Sequence, residues 1–319
     1  MSAVCWVCGS ANAVPWKPRS ILRPLVPADL KVSDGGYGIT LSLWRCRACS
    51  FIYADSVELS ELASLYECVT DVVYAESQDT RARQMRWVLR KALDARPGAR
   101  TVLDIGAGAG TLLAEAERAG LDAVGVEPSR AFVQRARAAN AVDIVQGVFP
   151  HPALAGRTFD IVFLVDVIEH VPEPVELLRA SANALAPGGI VLVVTPDVDS
   201  YAARKLRGRW WHFRIAHVGY FNFRSLAKAA RRAGLGVARR GRAVWYFRIG
   251  YLAKRVAVYI PPLAALNWVA RRVPPLSWLY NLVVPVNLHD SLLVVLRRAD
   301  DPALLPSLPP EPRRDTMTP

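Results

Sequence analysis

Acidic residues are missing from a ninety-residue stretch of this chain: between Ser200 and His289 there is no Asp or Glu, against seventeen Lys and Arg. The other 229 residues carry 23 basic and 28 acidic groups, so the net charge of +12 is concentrated in one region. Such a field should face something anionic: a phosphate-bearing substrate, nucleic acid or a membrane surface. A solvated Lys/Arg face is the ordinary alternative.

Long apolar runs are lacking too. No 18 consecutive uncharged apolar residues occur among the 319, and residues 1–16, MSAVCWVCGSANAVPW, lack the basic-then-apolar order of a secretion signal. These absences make a cytoplasmic protein the expectation. Disorder throughout is excluded by a composition of 52% hydrophobic and 21% charged residues. The length predicts one large domain with a smaller module attached.

Cysteine is scarce but ordered. Four of the five form two pairs, Cys5-x-x-Cys8 and Cys46-x-x-Cys49, in which a two-residue gap lets both thiolates of one turn face one ion. Two such turns complete a closed tetrahedral zinc site, structural because no position is left for water. Disulfides or free buried thiols are the alternatives, and a reducing cytosol disfavours disulfides. Cys68 stands apart and reads as a core thiol. Between the pairs, Gly38–Trp44 reads as a strand of a small β-ribbon, and Glu58–Tyr66 and Asp79–Ala95 read as helices with charged outer faces.

From Thr101 short apolar strands alternate with helices: Thr101–Ile105, Ala123–Val126, Asp143–Val145, Phe159–Val165 and Ile190–Val194, with helices to Gly120, over Ser129–Asn140 and to Ala186. This alternation implies an α/β doubly wound, mostly parallel sheet, whose ligands bind at the carboxyl ends of the strands. The first strand ends in Asp104-Ile-Gly106-Ala-Gly108-Ala-Gly110, and the second in Glu127. Glycines there let the backbone approach a ligand, and Glu127 can accept both hydroxyls of a ribose while Asp104 faces a cationic amino group. Each also has a purely structural reading: the glycines as turn formers, Asp104 as a helix-start acceptor, Glu127 as a cap.

Residues Thr101–Arg298 resemble the class I S-adenosylmethionine-dependent methyltransferases, with a seven-stranded Rossmann-like sheet. The likeness extends from the glycine loop to Phe159–Val171 (FDIVFLVDVIEHV), Leu185–Pro196 (LAPGGIVLVVTP) and His217–Phe223 (HVGYFNF). A zinc ribbon ahead of this domain occurs in a bacterial subgroup that often acts on sugars or lipid-linked intermediates. The resemblance implies S-adenosylmethionine held by Asp104, Gly106, Gly108, Gly110, Glu127 and Asp166. It departs at Gln146-Gly-Val148-Phe149, where many relatives carry an acid near the adenine; that contact must then come from backbone amides or apolar packing. His170, following the fourth strand, is the leading candidate for a general base, with His217 second. Asp166-x-x-Glu169-His170 also resembles the E-x-x-E-H metal motif of quinone-biosynthesis O-methyltransferases, and a packing role for Glu169 and His170 remains open.

The expected organisation is a ribbon over 1–56, a helical linker over 57–98, a methyltransferase domain over 99–298 with an amphipathic insertion at 245–288, and a disordered tail over 299–319. The insertion interleaves Trp245, Tyr246, Phe247, Tyr251, Tyr259, Trp268, Trp278 and Tyr280 with Arg248, Lys254, Arg255, Arg271 and Arg272, divided at Pro261-Pro262 and Pro274-Pro275. It suits either a lid or an element lying in an anionic membrane interface, as a peripheral contact at the inner face of the membrane. The expected function is methylation, at oxygen, of a sugar, lipid-linked or other small acceptor. RNA methylation is the alternative enzyme reading, although the basic residues lie among aromatics rather than in a polar Lys-rich groove and no Asn-Pro-Pro-Tyr motif follows the fourth strand. A non-catalytic adaptor retaining the cofactor fold is the third.

Overall fold

The computed structural model describes residues 4–30, 37–56, 59, 65, 78–260, 262–270, 272, 273 and 276–304. Cys68, Arg271, the Pro274-Pro275 break, most of the expected helix at Glu58–Tyr66 and the tail from 305 lie outside them.

Strands β1 (Ala13–Lys17), β2 (Leu43–Cys46) and β3 (Ile52–Ala54) form an antiparallel ribbon. The strand expected at Gly38–Trp44 starts later, because the backbone N–H of Gly38 is drawn to the carbonyl of Phe213 instead of a neighbouring strand. Then follow α1 (Gln78–Ala95), β4 (Thr101–Ile105), α2 (Thr111–Arg118), β5 (Asp122–Glu127), α3 (Arg130–Asn140), β6 (Asp143–Gln146), β7 (Phe159–Val165), α4 (Pro174–Asn183), β8 (Leu185–Pro196), α5 (Tyr201–Leu206), β9 (Gly219–Tyr220), α6 (Phe223–Arg232) and β10 (Leu235–Arg242). The chain ends with β11 (Trp245–Arg248), α7 (Ile249–Tyr259), α8 (Leu263–Ala270), α9 (Leu276–Asn281), β12 (Val283–Val286) and β13 (Ser291–Arg298).

The central sheet has seven strands in the order β6-β5-β4-β7-β8-β13-β10. The pairs from β6 to β8 are parallel, and β13 is antiparallel to both β8 and β10. Its strands read as continuous apolar runs because both faces are covered. Ile161, Phe163 and Val165 pack with α1, α2 and α3, while Val162 and Leu164 pack with α4 and α6. β8 repeats this alternation, Ile190, Leu192 and Val194 against Val191 and Val193. It also starts five residues earlier than expected: Pro187-Gly188-Gly189 is a bulge inside the strand, where a Cβ on Gly189 would lie 2.9 Å from the carbonyl oxygens of both Ala186 and Phe159.

The ribbon shares its sheet with the larger unit. β9 adds to β3 as a fourth strand, pairing Tyr220 with Ile52 and Gly219 with Tyr53. The Phe51 ring packs tilted against Phe221 with centroids 4.6 Å apart, and Arg232 donates to the carbonyl of Val7. A further core of Leu41, Leu43, Trp210, Phe213 and Tyr220 joins ribbon to the loop after β8.

At the amino-terminal edge of the sheet, Asp160 of β7 ties down the start of β4. Its carboxylate accepts from the backbone N–H groups of Arg100 and Thr101 at 2.8 and 3.2 Å and from Arg96 Nη2 at 2.9 Å. Partial burial pushes its pKa up, but these donors outweigh it and hold the carboxyl below its ordinary value. The resulting stability is present above the unfolded value near 3.8 and lost as pH falls through the lower folded value. Asp160→Ala should therefore cost ~1–3 kcal/mol at pH 7 in urea unfolding, with the gap to the parent protein closing in acid; a pH-independent gap would contradict this account.

Candidate active site

The strand order reverses between β4 and β7, which opens a crevice at their carboxyl ends. The turn leaving β4 holds Gly106, Gly108 and Gly110 with φ of 74, 54 and 71°. A side chain at Gly106 would put Cβ 2.6 Å from Val167 Cγ2, and one at Gly110 would come within 2.8 Å of Val142 Cγ2. Backbone N–H groups of Gly106 and Ala107 donate to the Val126 carbonyl at 2.8 and 3.1 Å, which fastens the turn to β5.

Glu127, the last residue of β5, is buried and bridges two loops: Oε2 accepts from Gly108 N–H at 2.9 Å and Oε1 from Ser129 N–H at 2.8 Å. Ser129 in turn caps α3 through the N–H of Phe132. Burial raises the Glu127 pKa, partly offset by the two N–H donors. Each carboxylate oxygen retains a second lone pair, so the structural role and a ribose-binding role are compatible. Beside it, Gly147 donates its N–H to the Glu127 carbonyl, and Val148 is exposed.

Asp104 points toward α1, as alternation with Val102 requires. Burial raises its pKa to about 8; nearby Arg81 pulls down and Glu127 pushes further up. Arg81, Met85, Asp104, Gly106, Thr111 and Val165 line the crevice. Arg81 Nη1 also lies 3.6 Å from Asp166 Oδ2. Asp166 sits just past β7 in a left-handed conformation (φ 55°), held by its N–H to the Val194 carbonyl, and burial raises its pKa as well. Arg81 escapes sequence reasoning because it is one of several Arg on a charged helix; only the docking of α1 singles it out.

Behind the crevice lies a second cluster. His170 Nδ1 is 2.7 Å from the Ala216 carbonyl oxygen, which can only accept, so this nitrogen carries the hydrogen and Nε2 is the acceptor. Burial lowers its pKa to about 4, the Ala216 bond opposing and Arg214 adding to the effect. The His217 ring lies edge-on to it at 4.8 Å, held well below the ordinary imidazole value by burial and then by its neighbours. Glu169, 1% exposed, accepts from Thr195 Oγ1 through Oε2, and burial raises its pKa strongly. Donor atoms of Glu169, His170 and His217 all lie within 4.8 Å of one another, and Glu169 Oε1 and His217 Nδ1 have no hydrogen-bond partner among the described residues. Asp166, the first residue of the D-x-x-E-H motif, is directed to Arg81 and is not in this set; His217, 47 positions after His170, is.

Cys5, Cys8, Cys46 and Cys49 are free thiols whose sulfurs lie within 4.8 Å of one another. The pairs Cys5–Cys49 and Cys8–Cys46 are 3.6 and 3.5 Å apart, close to the ~3.8 Å sulfur–sulfur edge of a tetrahedral zinc site with Zn–S near 2.3 Å. Each Cys-x-x-Cys turn closes on a left-handed residue, Gly9 and Ser50, donating N–H to the carbonyl of its first cysteine. These residues can hold one zinc ion.

Residues 77–239 match the family described as methyltransferase domain. A ubiquinone biosynthesis O-methyltransferase of Azorhizobium caulinodans is 38% identical over 108 residues, 32% of this chain and 43% of that protein. An uncharacterized 37.1 kDa protein in transposon TN4556 of Streptomyces fradiae is 29% identical over 213 residues, 59% of this chain and 61% of that protein. The matched region thus spans less than two thirds of either relative. Among solved structures, a SAM dependent methyltransferase from Archaeoglobus fulgidus aligns with TM-score 0.46 and 16% identity, over 72% of this chain and 100% of that one.

Because the folded protein keeps a proton on Asp104 up to about pH 8 that the unfolded chain releases near 3.8, burial of this residue costs stability as pH rises between those values. Asp104→Asn should accordingly stabilise the ligand-free protein by on the order of 2 kcal/mol at pH 8 and have little effect at pH 4. Urea unfolding at the two pH values measures this, and a destabilised variant at pH 8 would show that the carboxylate is satisfied as an anion.

Proposed function

The chain belongs to this methyltransferase family, and on that premise we propose that it transfers a methyl group from S-adenosylmethionine to a hydroxyl oxygen of a small acceptor, a sugar or lipid-linked intermediate. The observation that carries the reading is the joint placement of the left-handed glycine turn, Asp104 and Glu127 at the point where strand order reverses. The residues fit the cofactor: buried Asp104 offers a carboxylate to a cationic amino group, Glu127 offers two lone pairs to ribose hydroxyls, and Gly106 and Gly108 admit a close backbone approach. Oxygen as the methylated atom is supported by the O-methyltransferases among the relatives.

S-adenosylmethionine supplies a methyl group already activated on sulfonium, so the protein's share is to align the acceptor, exclude water and receive a proton. His170 Nε2, neutral at physiological pH, would take the proton of the acceptor hydroxyl as the methyl is transferred. His217 buttresses that ring edge-on. The alternative use of His170 Nε2 is as a metal ligand instead of a base: a divalent ion would then be held by Glu169, His170 and His217, and would lower the acceptor hydroxyl's pKa with the proton passing to water.

The acceptor class is supported by a cleft of about 210 Å³ between the ribbon and the segment after β8. Its apolar lining includes Ile52, Val198 and Phe213, and its charged lining is three cations, Lys17, Arg45 and Arg207, against one acid, Asp199, whose Oδ2 accepts from Asn222 Nδ2. Burial lowers the Lys17 pKa. Such a lining favours an acceptor with an apolar or ring portion and an anionic group, as a phosphate-bearing intermediate has.

Incubation with methyl-labelled S-adenosylmethionine and separately extracted lipids, glycans and RNA should label the lipid or glycan fraction. Glu127→Ala should weaken cofactor binding by ~1–3 kcal/mol in calorimetry. Label confined to RNA would overturn the acceptor class, and absence of cofactor binding would make the chain an adaptor.

The four thiols support one structural zinc ion, whose binding is coupled to folding of the ribbon. Protein purified without chelator should contain about one equivalent, and Cys8→Ser should lower both zinc content and thermal stability. Less than half an equivalent in the parent protein would count against the site.

A further inference from the structure

The two-stranded ribbon of β11 and β12 leaves the central sheet between β10 and β13 and carries α7, α8 and α9 at its tip. No residue of α7 is fully buried. Trp268 and Trp278 are 60% and 64% exposed, and Val256, Val258, Ile260 and Leu279 of the same appendage are exposed as well. By comparison Trp210, Phe213 and Phe221 of the body are at most 1% exposed, although Tyr201 at the start of α5 is exposed too. Large apolar side chains left in water on one appendage point to an interaction surface.

The three helices are nevertheless braced. Asn267 donates through Nδ2 to the Ala253 carbonyl at 2.8 Å, and Tyr280 donates its hydroxyl to Asn267 Oδ1 at 2.7 Å. The unit is also moored to the body. Arg248 pairs with Asp79 at 2.6 Å, the Tyr259 hydroxyl donates to the Arg209 carbonyl, and the Tyr37 and Tyr259 rings stack at 5.8 Å. The exposed apolar side chains therefore project from a held scaffold.

Charge identifies the occupant. The insertion from Trp245 to Leu288 contains five basic residues and no acid. The Arg272 guanidinium stacks on the exposed Trp268 ring at 3.9 Å, placing a cation and an interfacial aromatic together, while Lys254 is exposed on α7. A second copy docked face to face would set these cations against each other with no acid of the insertion to answer them. Spanning is excluded for these elements, since α7, α8 and α9 have 11, 8 and 6 residues and a transmembrane helix needs about 20; among the described residues no helix is long and apolar enough to cross a membrane. We infer that this helical appendage lies in the interface of an anionic lipid bilayer, with Trp268 and Trp278 at headgroup level and Lys254 and Arg272 against lipid phosphates. This surface is independent of the methyl-transfer reading, and it would bring the crevice to acceptors held in the membrane.

Flotation of the full-length protein with vesicles of phosphatidylcholine alone, and of phosphatidylcholine mixed with phosphatidylglycerol, tests the inference. Binding should be confined to the anionic vesicles and fall about tenfold or more between low and high salt. Trp268→Ser with Trp278→Ser, and separately Lys254→Gln with Arg272→Gln, should each reduce it by a similar factor while thermal unfolding and S-adenosylmethionine affinity stay at parental values. Protein that stays unbound with both vesicle types, or floats equally with all variants, overturns the inference. Self-association in solution that the Trp changes abolish, without flotation, assigns the surface to a second copy instead. Cofactor calorimetry on the same samples separates this result from the fate of the enzymatic reading.

Discussion

Gly106 lies against Val167 so closely that a single methyl group would approach Cγ2 to 2.6 Å, and its backbone adopts φ 74°, where a Cβ is already strained. Through this contact the turn after β4 and the turn after β7 are set at one distance. The N–H groups of Gly106 and Ala107 then lock the first turn to β5, and Gly108 reaches the Glu127 carboxylate. Three strand ends are thereby assembled into one floor by a turn that tolerates no side chain at its tightest point. Gly110, confined by Val142 and Ala136, lets α2 begin immediately above it.

The floor is costly in charge. Asp104, Glu127, Asp166 and Glu169 are all held above their ordinary pKa by burial, and Glu169 is raised further by Asp166. Arg81 is shared between Asp104 and Asp166 and opposes the shift of each. Perturbed acids concentrate where a ligand brings the missing partner, and a stretch rich enough in apolar strand to fold without them retains them at the strand ends alone. By contrast, Asp160 at the opposite edge is served by two backbone N–H groups and by Arg96, and its pKa moves down. The two ends of one sheet thus carry acids shifted in opposite directions, one lowered by donors that hold the fold and the others raised by burial.

How much of this was legible follows from the range of the signals. The central strands were readable because a doubly covered sheet writes an unbroken apolar run, as in Phe159–Val165, and the start of α3 because Ser129 supplies a local cap. The glycine turn was readable because its left-handed backbone is a local requirement, whereas the contacts of Gly106 with Val167 and of Gly110 with Val142 were not. Arg81 was not, since its distinction lies in where α1 docks. Nor was the meeting of His170 with His217, which depends on the segment after β8 folding back so that Val218 N–H reaches the Glu169 carbonyl. The start of β8 was misjudged because Pro187-Gly188-Gly189 has the composition of a turn, and only the carbonyls of Ala186 and Phe159 crowding Gly189 explain glycine there as a bulge.

That fold-back also ties the ribbon to the histidines. Ala54 N–H donates to the Val218 carbonyl at 2.8 Å, and Val218 N–H donates to the Glu169 carbonyl at 2.9 Å, so β3 is connected to the Glu169 turn through one residue. His217 immediately precedes that residue, and β9 immediately follows it as a strand of the ribbon sheet. On the other side of the same ribbon, Cys46 starts the Cys-x-x-Cys turn that Phe51 closes with its carbonyl, and Phe51 packs on Phe221 just past β9. Displacing β3 by even a fraction of a residue spacing would therefore move Val218 and with it the geometry between His217 and Glu169. The thiol cluster and the histidine cluster are the two ends of one short mechanical path, which makes the ribbon a wall of the site.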